Sequence, residues 1–176
     1  MISTRGVVAA VAVAVALVLQ LSAFSQLSWH GVVPNLVLLV VVAAALVGGA
    51  QFAMVLGFGG GVLLDLVPPA DHVAGRWALA LLVVGYVAGR FGQDTRLHAK
   101  PTALVVVATV GASSFLGTSV FALSGVLLRD PALAVPDLLQ VILAAVVWDV
   151  LLTPVVLPAV MAMFGRVGAP EPGRAT

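Results

Sequence analysis

The stretch Gly57 to Arg90, GFGGGVLLDLVPPADHVAGRWALALLVVGYVAGR, reads as two membrane helices joined by a short proline turn. Gly57, Gly61 and Asp65 recur every four residues, which at about 100° per residue puts two small residues and one carboxylate on a single helical stripe. That stripe must face protein, because a carboxylate costs at least a few kcal/mol in hydrocarbon and needs a partner. Arg76 opens the second helix just across Pro68 and Pro69, so its guanidinium is the nearest candidate to reach back to Asp65. Gly85 and Gly89 give the second helix a small face of its own, suited to close helix contact.

Composition points the same way. Of 176 residues, 62% are hydrophobic and 9% charged, and the mean hydropathy is +1.21. Soluble domains carry about a quarter charged residues, so this is an integral membrane protein built as one bundle. A net charge of +1, with cations scattered along the chain, argues against a nucleic-acid partner. The absence of cysteine excludes disulfides, thiol catalysis and cysteine metal sites.

Outward from the central stretch, the sequence divides into six apolar runs, at about 7–27, 34–48, 50–67, 74–91, 102–128 and 138–164. The expected fold is an all-α integral membrane protein, a compact bundle of about six transmembrane helices. A tail at 165–176 is expected to be disordered and cytoplasmic. The first run follows Arg5, and Ala23-Phe24-Ser25 offers a signal-peptidase-like site, but an uncleaved first helix is the simpler reading. Pro34 and Asn35 open the second run as a helix start, and Gly48-Gly49 closes it. The segment Arg90 to Pro101 reads as a hydrophilic loop. Ser113-xxx-Gly117 and Ser114-xxx-Thr118 mark the fifth run as a close-packing helix. Pro154 and Pro158 are expected to kink the sixth. Six spans place both termini on one side, together with Arg5, Arg90, Arg96, Lys100, Arg166 and Arg174, against Arg76 and Arg129 opposite. The positive-inside rule makes that side cytoplasmic.

The pattern Gly-Phe-x-x-Gly-x-x-x-Asp from Gly57 to Asp65, then Pro68-Pro69, a short polar turn and an Ala/Leu-rich helix ending Val84-Gly85-Tyr86, resembles the rod shape-determining protein MreD family. Pro34-Asn35-Leu36 is a second similar feature. The resemblance implies a scaffold in the bacterial cytoplasmic membrane that binds an MreC-like bitopic protein. Through it, the scaffold would work with an MreB-like filament and the elongation wall synthases in lateral peptidoglycan synthesis. An uncharged polar residue is commoner in that family near Asp149. A bundle similar to the substrate-binding subunit of energy-coupling-factor transporters is implied as well, and a vitamin-transporter subunit is the alternative function. For that alternative the chain offers Ala10-xxx-Ala14 and Ala12-xxx-Ala16 on its first helix. Its polar and aromatic groups near the outer loops are Trp29, His30, Asp65, Asp71, His72, Arg76 and Trp77.

Asp149 is the deepest charge, about eleven residues or roughly 16 Å into the last run. As a functional group it would bind a cation, carry a proton or bond a partner helix. As a structural one it accepts hydrogen bonds from Ser113, Ser114 or Thr118, and this is the simpler reading. Asp65 with Arg76 reads first as a clamp on the outer ends of the third and fourth helices, and second as a ligand site. The spacing of His30, Asp71 and His72 matches no metal-ligand motif. Gly59-Gly60-Gly61 lacks the Lys-Ser/Thr of a phosphate loop and reads as helix packing. No nucleophile-and-base constellation is present, so no catalytic residue, cofactor or metal is expected. The structural or partner-binding set is Asn35, Gly57, Gly61, Asp65, Arg76, Gly85, Gly89 and Asp149.

Overall fold

The computed structural model describes residues 4–24, 28, 32–68, 73–96, 102–128 and 138–167. Within them the chain forms six helices: α1 (Thr4–Ser22), α2 (Leu36–Gly48), α3 (Ala50–Leu66), α4 (Arg76–Arg96), α5 (Ala103–Leu127) and α6 (Leu138–Val167). Three of them, α1, α5 and α6, are long and apolar enough to cross a membrane, and α2 and α3 are shorter apolar helices. The elements among the described residues are thus all helices, and the chain is of membrane character.

The centre of the molecule is α2 rather than the hairpin of α3 and α4. Every residue from Leu36 to Leu46 is buried, as befits a helix that is apolar on all sides. Hydrophobicity alone does not put it there, since lipid is as apolar as the bundle interior. Its length does. At 1.5 Å per residue its 13 residues reach about 20 Å, well short of roughly 30 Å of hydrocarbon. Alone in lipid, both its ends would leave backbone groups unsatisfied, so it needs neighbours that supply polar partners.

α3 follows α2 after one residue. Gly49 makes the reversal with φ +84°, a conformation costly for any residue with a Cβ. α3 and α4 then run antiparallel in backbone contact. A Cβ on Gly57 would strike the Leu81 carbonyl, and one on Gly61 would strike Ala78 and the Trp77 carbonyl. From the other side, Gly85 lies on the Ala53 backbone and Gly89 on Ala50. The four glycines therefore interleave along one seam.

Contacts define the two ends of the bundle. Arg5, Gly48, Phe52 and Phe164 gather at one end: the Arg5 guanidinium lies over the Phe52 ring at 4.6 Å, and Phe52 meets Phe164 edge-on at 5.9 Å. Asp65, Arg76, Trp77 and Phe121 gather at the other.

Several boundaries differ from those expected. α1 begins at Thr4 and ends at Ser22, ahead of residue 27. α4 continues to Arg96, through residues expected to form a loop, because nothing between Arg90 and Arg96 breaks a helix and Pro101 lies further on. α6 runs to Val167, three residues into the expected tail, whose remainder lies outside the described residues. The Gly59-Gly60-Gly61 triplet stays helical within α3, where its neighbours hold it.

Candidate functional site

Two buried carboxylates organise two polar clusters, and each serves the start of a helix. Asp65, 4% exposed at the end of α3, accepts backbone N–H bonds from Gly75 at 2.9 Å, Trp77 at 3.1 Å and Ala78 at 3.1 Å. The first turn of a helix offers N–H groups with no intrahelical acceptor and a partial positive charge. The last residues of α3 thus cap α4 across the turn. Gly75, at φ +99°, brings the chain round into that geometry. Arg76, also buried, reaches α5: its Nη2 and Nε donate to the Phe121 carbonyl at 2.8 and 3.3 Å. Its guanidinium lies 3.9 Å from the centroid of the Phe121 ring, and Trp77 stacks on the same ring at 4.4 Å. Ser124 Oγ donates to that carbonyl as well, at 2.8 Å. Asp65 thus bonds α3 to the backbone of α4, and Arg76 reaches on to α5. Phe121, which joins three of these residues, is missing from the sequence-derived set, because one phenylalanine in an apolar run carries no local signal.

The second cluster joins α2, α5 and α6. Asp149, 1% exposed, accepts the Asn35 backbone N–H through Oδ1 at 2.9 Å and the Ser114 hydroxyl through Oδ2 at 2.7 Å. Asn35 is the N-cap of α2, and its Oδ1 accepts the Leu38 N–H at 2.9 Å. Pro34 ahead of it has no N–H to satisfy. A carboxylate from α6 thus completes the start of a helix that begins at the depth of the middle of α5 and α6. Thr153, one turn on, returns its hydroxyl to the Asp149 carbonyl at 2.8 Å. Ser113, Gly117 and Thr118 are buried on α5 beside this level. Two more donors, Asn35 Nδ2 and Trp148 Nε1, are buried with no hydrogen-bond partner among the described residues. The cap fixes the amide, since Oδ1 must face the Leu38 N–H.

At the far end of α2, Arg5 supplies the opposite charge. A Cβ placed on Gly48 would fall 2.7 Å from its Nη2, so the guanidinium stands at the last turn, where a cation favours the helix dipole. The sequence marks Arg5 only as a topology signal; its place against α2 follows from the packing of α1.

The structure therefore sets the eight sequence-derived residues in three places. Asp65 and Arg76 lie at one end, Gly57, Gly61, Gly85 and Gly89 along the α3/α4 seam, and Asn35 with Asp149 in the interior. His30, Asp71 and His72 lie outside the described residues. Among the described residues no group of three or more His, Cys, Asp or Glu side chains comes together. The observed chemistry is hydrogen bonding between helices. Comparison with known protein families, curated proteins and solved structures finds no match to this chain.

Proposed function

We propose that this chain is a non-catalytic membrane scaffold of the MreD type, binding an MreC-like bitopic protein and supporting the elongation machinery of a bacterial cell. The observation that carries the reading is the α3/α4 hairpin. Of the residues on which the resemblance rests, Gly57, Gly61, Asp65 and Gly85 make its seam and its cap. Such a hairpin gives a scaffold a rigid frame, and its described polar groups are engaged in bonds within the bundle. In this reading all six helices lie in the cytoplasmic membrane, with both termini cytoplasmic. The end that gathers Arg5 then faces the cytoplasm, and the short α2 completes its crossing with the chain leading to Asn35. The wall synthases and an MreB-like filament are reached through the partner.

One observation favours a second reading, a membrane subunit of an energy-coupling-factor-type vitamin transporter. Ala10 and Ala14 lie on the exposed side of α1 while Ala12 and Ala16 are buried, so a small-residue face is free for a coupling protein.

In-membrane crosslinking of the tagged chain, followed by purification and mass spectrometry, separates the two. The scaffold reading expects a single-span protein with a periplasmic coiled coil. A coupling protein recovered with its ATPases overturns the scaffold reading and establishes the transporter subunit.

A further inference from the structure

Pro154 and Pro158 stand one turn apart inside α6. Each lacks the N–H that would bond the carbonyl four residues before it, so the Val150 and Pro154 carbonyls are both deprived of their α-helical donor. Val150, Pro154 and Pro158 recur every four residues and share one stripe. All three line the same groove, a cavity of about 770 Å³ between the first half of α5 and the second half of α6. Its remaining wall is apolar apart from Thr153, whose hydroxyl hydrogen already goes to the Asp149 carbonyl. In a membrane an acyl chain fills such a groove but donates no hydrogen bond, and a backbone carbonyl without a donor is costly there. An occupant that carries donors is therefore favoured over lipid.

We infer that the α5/α6 groove seats the transmembrane helix of a single-span partner, which presents hydroxyl or amide side chains one turn apart to the Val150 and Pro154 carbonyls. The inference rests on the scaffold reading and gives its partner a binding face.

The test uses the full chain in native membranes with a photocrosslinking residue at Leu151, on the groove, or at Phe58, midway along α3. These two positions are similarly exposed, at 61% and 51%, so both meet lipid freely. The expected result is a crosslink from Leu151, and none from Phe58, to the transmembrane segment of one single-span protein. Sequencing of the crosslinked peptide should show Ser, Thr, Asn or Gln one turn apart. The doubly substituted P154A/P158A chain restores both N–H groups and removes two helix-breaking residues, so it remains folded. It should lower the Leu151 yield about fivefold or more. An unchanged yield overturns the hydrogen-bond argument. A second copy of the chain or lipid alone at Leu151 overturns the occupant. Capture of the single-span protein from Phe58 and not from Leu151 overturns the groove while leaving the scaffold reading intact. Capture of no single-span protein from either position overturns both.

Discussion

Asp65 and Asp149 perform the same physical task at very different range. Each accepts the backbone N–H of residues at a helix start, but Asp65 binds groups 10 to 13 residues ahead of it, whereas Asp149 binds Asn35, 114 residues away, and Ser114, 35 away. Asp65 closes a hairpin whose two helices the glycine seam already holds together. Asp149 ties three helices, α2, α5 and α6, and it does so at the buried start of α2. The difference shows how a membrane protein admits a helix too short to span: polar groups from other helices meet its ends, here Asp149 at the start of α2 and Arg5 at its finish.

The comparison predicts its largest effect at Asp149. Asp149→Leu leaves the Asn35 N–H and the Ser114 hydroxyl buried without an acceptor, a loss of about 1–3 kcal/mol for each. Asp149→Asn keeps a carbonyl for the Asn35 N–H, and its NH2 group donates to the Ser114 hydroxyl oxygen, so it should stay within about 1 kcal/mol of the parent. Reversible unfolding in mixed detergent micelles measures both. If the Leu variant unfolds where the parent does, α2 does not depend on this carboxylate, and the contrast between the two aspartates disappears.

What could be read from the sequence follows the same division between local and distant. The stripe of Gly57, Gly61 and Asp65, the turn after it, and Asn35 as a helix start are local patterns, and the hairpin and the cap are where those residues indicate. The sequence offers Ser114 only as one of three donors for Asp149, beside Ser113 and Thr118. It does not reveal that Asn35 and Asp149 meet, because the pairing depends on how deep α2 sits, and no residue in α2 reports its depth. The uniform apolar run from Leu36 to Val47 looks like any span; only its packing shows it to be the centre. Arg5 and Phe121 escape for a similar reason: their partners are set by the stacking of whole helices.

Two glycines in one triplet test how far the seam, rather than Asp65, holds the hairpin. A Cβ on Gly61 meets the backbone of Ala78 and Trp77, which cannot rotate aside, whereas one on Gly59 meets nothing within 4 Å. Gly61→Ala should therefore destabilise by about 1–3 kcal/mol, as overpacking does. Gly59→Ala should be neutral or stabilise by up to about 1 kcal/mol through helix propensity. Thermal unfolding of the two variants side by side reads the opposite signs. Equal shifts would mean that the seam can open without cost and that the hairpin depends on its polar end.

A smaller loss than at Asp149 is expected at Asp65 itself. Asp65→Ala removes the acceptor for three backbone donors, yet those donors lie where the chain turns between α3 and α4, next to exposed Val73, Ala74 and Gly75. Water can take over part of their bonding there, as it cannot at Asn35. The expected cost is that of losing an ordinary helix cap, about 0.5–2 kcal/mol, and α4 should fray at its start while the seam from Gly61 to Gly89 holds. Hydrogen exchange at Trp77 and Ala78 measures this directly: faster exchange at those amides, with Val84 and Ala88 unchanged, is the expected pattern. Faster exchange along all of α4 would instead make Asp65 as central to the hairpin as Asp149 is to α2. The two carboxylates would then differ in range but not in weight.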